Sequence, residues 1–116
     1  MENLITKKCV PCEAGQPPLA KKEAEEMIKQ TPGWYLMQDA QKGRLSIGRD
    51  FEFKDFKEAI AFVNRVADIA ESEGHHPDIY IFYNVVKLQL FTHAISGLSE
   101  NDFIVAAKVN QLLSPA

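Results

Sequence analysis

Apolar residues recur along this chain with two alternating periods. Across residues 19–30, Ala20, Ala24, Met27 and Ile28 fall on one face at helical spacing. Lysines and glutamates fill the other face, and Thr31-Pro32-Gly33 ends the segment. The period then drops to two. Residues 34–37 read as a strand, residues 38–43 as a polar turn, and residues 44–53 as a second strand in which Leu45, Ile47, Phe51 and Phe53 alternate with polar neighbours. So short a link favours an antiparallel pair. Gly48 interrupts the second strand and marks an expected bulge.

Residues 55–73 carry the clearest helical pattern, a stripe of Phe56, Ala59, Ile60, Val63, Val66, Ala67 and Ala70. Asp55 followed by Glu58 is a capping-box-like start, Gly74 suits the C-cap, and Pro77 forbids continuation. Residues 79–92 read as a second hairpin turning near Tyr83-Asn84. In its second arm Val86, Leu88 and Leu90 share one face, and Lys87 and Gln89 the other. The first arm, Ile79-Tyr80-Ile81-Phe82-Tyr83, is apolar on both faces. A strand of that kind needs cover on both sides. One helical layer covers only one, so a second copy of the chain is the expected cover for the other.

Residues 98–113 form the last helix, started by Ser99 with Asp102. Leu98 and Phe103 are spaced for a hydrophobic staple, and Phe103, Ala106, Ala107 and Leu113 supply the apolar face. Residues 1–18, broken by Pro11, Gly15, Pro17 and Pro18, read as an irregular segment ahead of a single domain over residues 19–116. The order αββαββα implies an α+β fold: a four-stranded antiparallel sheet with three helices packed on one face.

Composition narrows the function classes. A chain of 116 residues, 46% hydrophobic, suits one self-sufficient domain. With 13 Lys and Arg against 16 Asp and Glu, the net charge of −3 argues against a nucleic-acid binder working through bulk positive charge. Apolar runs stop at five residues, as at residues 79–83; a bilayer span needs ~20. The N-terminal Met-Glu-Asn-Leu-Ile-Thr-Lys-Lys lacks an apolar signal core, so the expected location is cytoplasmic. Two cysteines are too few for a disulfide framework. Cys9-Val10-Pro11-Cys12 brings only half of a structural zinc shell and no preceding strand of a redox motif, so no chemistry is the expected reading, with a metal or redox role as the alternative.

Three histidines are the candidate chemistry. His75 and His76 follow a helix C-terminus, where an imidazolium is favoured by ~0.3–1 kcal/mol. His93 ends the last strand. Glu71 and Glu73 stand in the helix's last turn, where the dipole disfavours them; they read either as solvated carboxylates whose cost the nearby histidines offset, or with Glu71 as an acceptor facing the His75/His76 corner, and the spacing alone does not choose. Imidazoles with an ordinary pKa near ~6.5 can take or give a proton around neutrality. Three of them could also bind zinc. The residues alone leave acid–base chemistry and metal binding both open.

The run Glu71-Ser72-Glu73-Gly74-His75-His76-Pro77-Asp78, with Tyr83-Asn84, Thr92-His93 and Gly97-Leu98-Ser99-Glu100-Asn101-Asp102, resembles the signature of the pterin-4a-carbinolamine dehydratases, also called 4a-hydroxytetrahydrobiopterin dehydratases. Pro32-Gly33-Trp34 and Phe53-Lys54-Asp55-Phe56 also match, and the similarity runs over residues 19–113. The early Cys-x-x-Cys resembles the N-terminus of some bacterial members. The resemblance implies the same α+β fold and a lyase that eliminates water from 4a-hydroxytetrahydrobiopterin to give quinonoid dihydropterin. That activity supports tetrahydropterin recycling for aromatic amino acid hydroxylation. It implies no metal or organic cofactor, a small-molecule pterin as the partner, a homodimer or homotetramer, a link to phenylalanine hydroxylase, and neither nucleic acid nor membrane.

By the same resemblance, His75 and His93 transfer protons and His76 binds and orients the pterin. Glu71, Pro77, Thr92, Ala94 and Ile95 line the pocket, Trp34 closes one side of it, and Asp102 holds a histidine or the helix start. Three features depart from the pattern: Asn101 stands where animal members carry arginine, Ile79 replaces an aromatic residue, and the 38–43 loop is longer than in animal members. None touches the histidines. The alternative is a non-catalytic scaffold on the same fold, a dimerisation cofactor or assembly factor.

Overall fold

The structure, a computed structural model, describes residues 3–113. Helix α1 (Lys21–Met27) runs into a 3-10 turn (Ile28–Gln30) and is followed by β1 (Tyr35–Gln38), β2 (Leu45–Glu52), α2 (Phe56–Glu73), β3 (Asp78–Phe82), β4 (Val85–Leu90) and α3 (Glu100–Gln111). The strands form one antiparallel sheet in the order β1-β2-β4-β3. This is the α+β arrangement of four strands and three helices that the sequence implies.

Pairing fixes which side chains face the helices. Ile47 lies opposite Leu90, and Phe51 opposite Val86, so Leu45, Ile47, Phe51, Val86, Leu88 and Leu90 form one buried apolar face. No bulge forms at Gly48: the pairing with β4 runs unbroken through it, and it closes the pairing with β1 opposite Tyr35. A Cβ there would sit 2.7 Å from Met37 Cε and 3.3 Å from the Leu88 carbonyl. The glycine lets the β1 side chains lie across β2.

Helix α2 starts where Asp55 Oδ1 accepts the Glu58 N–H at 2.9 Å, and ends at Gly74, left-handed at φ 65°. Its buried residues are Ala59, Phe62, Val66 and Ala70. Relative to the stripe read from the sequence, the helix is rotated: Phe56 and Ala67 face solvent, and Phe62 is drawn in. The reason is aromatic packing, with the Phe62 ring 4.7 Å from Phe51 and 4.9 Å from Phe53.

Helix α3 is buried on nearly all sides, from Asn101 to Ala107 and at Val109. The segment before α1 supplies part of that cover. Its 3-10 turn (Leu4–Thr6) packs on α3 with Leu4 buried in the core. Leu98 and Phe103, the staple pair, are fully buried, whereas Leu113 lies past the helix and is exposed.

Neither edge strand buries a side chain within the single chain, and β3 is the more exposed of the two; Phe82 is 62% exposed.

Candidate active site

The end of α2, the turn after Gly74, the end of β4 with its following 3-10 turn (His93–Ile95), and the start of α3 meet at a cleft of about 550 Å³. Its polar corner is built on Asp102, whose side chain is fully buried in the first turn of α3. One carboxylate oxygen lies 2.6 Å from His75 Nε2. The other accepts the Ser99 N–H at 3.0 Å and the Thr92 hydroxyl at 2.9 Å, and the Ser99 hydroxyl lies 2.9 Å from that of Thr92. Asp102 therefore holds both the histidine and the helix start. With Nε2–H donated to the carboxylate, His75 presents Nδ1 for other use. Its side chain is 12% exposed.

The other two histidines stand in water. His76 Nε2 lies 2.6 Å from Glu71 Oε2, an exposed pair on the rim. His93 is exposed and packs on Phe91, ring centroids 4.1 Å apart, while the Arg44 guanidinium sits 4.2 Å from the same ring. Among the described residues no group of three or more His, Cys, Asp or Glu is placed to hold a metal ion. Each imidazole has a separate partner, so the three do not gather as a ligand set.

A further wall comes from the N-terminal segment. Cys9, Val10, Pro11 and Cys12 line the cleft. The Asn101 side chain pairs with the Val10 backbone in both directions: Oδ1 accepts its N–H at 3.1 Å and Nδ2 donates to its carbonyl at 2.6 Å. Asn101 Nδ2 also lies 3.5 Å from Cys12 Sγ. The Cys9 N–H donates to Glu73 Oε1 at 2.9 Å, and Lys108 pairs with the other oxygen of Glu73. Burial, with Glu73 alongside, pushes the Cys9 thiol up to about 12. Burial also pushes Glu73 upward, but the hydrogen bonds from Lys108 and the Cys9 N–H and the lysine's charge outweigh it and hold the carboxyl below its ordinary value.

Six of the residues singled out from the sequence line the cleft: His75, His76, Pro77, Thr92, His93 and Ala94. Asp102 stands behind His75, Glu71 is on the rim against His76, and Ile95 is buried in the 3-10 turn. Trp34 is not at the cleft. It is a core aromatic, edge-on to Phe51 at 6.3 Å, with its indole N–H given to Asn110 at 2.9 Å. Sequence reasoning missed Phe91, Asn101 as a holder of Val10, and the 9–12 wall. Only the Cys-x-x-Cys spacing hinted at the wall, because its partners lie 64 and 91 residues away.

Residues 17–112 match the family model for pterin 4 alpha carbinolamine dehydratase, and the chain belongs to that family. A family relative from Halorhodospira halophila is 47% identical over 110 residues, covering 95% of this chain and 97% of its own. The pterin-4-alpha-carbinolamine dehydratase 2, mitochondrial, of Arabidopsis thaliana is 46% identical over 114 residues, covering 97% of this chain and 60% of its own. A crystal structure of a transcriptional coactivator/pterin dehydratase from Brucella melitensis superposes with a TM-score of 0.75 at 35% identity, over 84% of this chain and 99% of the other.

Proposed function

We propose that the cleft eliminates water from a 4a-hydroxytetrahydropterin, with His75 and His93 as the proton-transfer residues. The observation that carries this reading is the His75–Asp102 pair beside a cleft that His76 and His93 also line. A base takes the proton from a ring nitrogen, the nitrogen's electron pair closes a C=N bond, and the C–O bond breaks. An acid protonates the departing hydroxyl, which leaves as water. The product is quinonoid dihydropterin. Asp102 keeps the His75 ring in one orientation, so its free nitrogen meets the substrate without reorganisation. His93 sits on the Phe91 ring, open to solvent, and exchanges its proton with water between turnovers. His76, paired with Glu71, orients the pterin, and Pro77, Thr92 and Ala94 line its pocket. Acid–base help of this kind accelerates a reaction by ~10²–10⁴-fold.

The reading extends to context. The exposed apolar edge of β3 suits pairing with a second copy in a homodimer or homotetramer. Tetrahydropterin recycling in the cytoplasm, alongside phenylalanine hydroxylase, is the setting the family suggests. Among the described residues no helix is long and apolar enough to cross a membrane. A scaffold role is the second reading, favoured by the coactivator in the Brucella protein's name.

Stopped-flow ultraviolet absorbance on chemically generated 4a-hydroxytetrahydropterin separates the two. Formation of quinonoid dihydropterin faster than the spontaneous rate supports the enzyme. A folded protein that leaves that rate unchanged overturns it and leaves the scaffold.

A further inference from the structure

Residues 9–12 form a wall of the cleft, yet they precede residue 17, where the match to the family model begins. They are not a loose tail. Asn101 holds Val10 by both of its backbone polar groups, as a neighbouring strand would. Glu73 holds the Cys9 N–H, and Lys8 Nζ donates to the Ser72 carbonyl at 3.1 Å. Lys7 pairs with Glu100 at 2.8 Å, and Leu4 anchors the start of the segment in the core. The anchors fall on the last turn of α2 and the first turn of α3, the two helix ends that present His75 and Asp102.

We propose that residues 9–12 are a substrate-binding wall of the cleft, and that Asn101 is the positioning residue that holds this wall against the substrate. The proposal rests on the dehydratase reading and deepens it. The wall acts on affinity, because it lines the same cleft as the histidines without holding any of them: no described hydrogen bond joins residues 9–12 to His75, His76 or His93. Its chemistry suits an uncharged part of the substrate. With the Val10 backbone, the Cys9 N–H and the Cys9 thiol already engaged, it offers the neutral side chains of Val10, Pro11 and Cys12, and the nearby Glu73 carboxylate is occupied by Lys108 and the Cys9 N–H.

The test uses the full chain, with Asn101→Ala and Val10→Pro as variants. The first removes both hydrogen bonds to the Val10 backbone and the contact with Cys12 Sγ. The second keeps Asn101 and removes the Val10 N–H, while its ring also fixes φ there at about −65° and holds Cys9 extended; the Val10 side chain is exposed, so the core is untouched. It also serves if Asn101→Ala does not fold. Each variant is expected to raise KM by about tenfold with kcat within about twofold, the scale of one or two lost hydrogen bonds. The double variant is expected to be no worse than either single one, because both release the same wall. Unchanged KM in folded variants, or a fall in kcat alone, overturns the proposal.

Fluorescence titration with unreactive 7,8-dihydrobiopterin provides a readout independent of turnover. Weaker binding in both variants supports the wall even if the wild type fails to dehydrate. Equal binding in an active enzyme overturns the wall while the dehydratase reading stands.

Discussion

His75 and His93 lie on the same cleft in opposite environments. His75 is nearly buried, and its ring is tied to a carboxylate that itself accepts from Ser99 and Thr92. His93 is exposed and packs tilted against the Phe91 ring. A buried polar network fixes orientation at the cost of leaving orphans if any member is removed. An exposed imidazole keeps access to water and can be removed cheaply. The same side chain thus stands once in a fixed orientation and once in open solvent, so the two should respond differently to substitution.

The largest effect is expected in turnover. His75→Ala should slow dehydration by ~10²–10⁴-fold, measured against the spontaneous rate. A variant that kept full activity would remove His75 from the chemistry and leave Asp102 a purely structural carboxylate.

Next comes stability, where the two ends of the cleft should diverge. Asp102→Ala removes the acceptor for His75, Ser99 and Thr92 at once, and should cost about 2–4 kcal/mol in denaturant unfolding. Glu71→Ala, which breaks only the exposed pair with His76, should leave the unfolding midpoint nearly unchanged. Equal losses would erase the contrast between wired and solvated histidines.

The smallest effect is in acid. Glu73 has its folded pKa held below its ordinary value of 4.5, so its contribution to stability is complete above that value. It is lost as pH falls through the depressed folded value. Glu73→Gln should therefore lower the melting temperature at neutral pH and flatten its decline on acidification. Parallel curves for variant and wild type would contradict this.

Local chemistry explains what the sequence made legible. The capping signals at Asp55 and Ser99, the left-handed stop at Gly74 and the Tyr83-Asn84 turn each act over a few residues, and each is where the pattern puts it. The alternation in β4 defined the buried face of the sheet directly. Tertiary choices escaped. The rotation of α2 depends on Phe62 meeting two phenylalanines of the β2 region, and Gly48 is required by neighbours on β1 rather than by a bulge. Trp34, an aromatic with no local clue to its partner, packs in the core. At the cleft the family motif brought His75, His76 and His93 to one place. The return of the N-terminal segment onto Asn101 has no periodic signal, because its hydrogen bonds run between a proline-containing loop and a helix far along the chain.

The most direct test of acid–base work at this cleft is stopped-flow dehydration by His93→Ala beside the wild type, with folding of both checked by circular dichroism. His93 is exposed, so its removal should leave the fold intact. The account predicts that the wild type accelerates formation of quinonoid dihydropterin and that the folded variant loses most of that acceleration. A folded His93→Ala protein with the wild-type rate would contradict it.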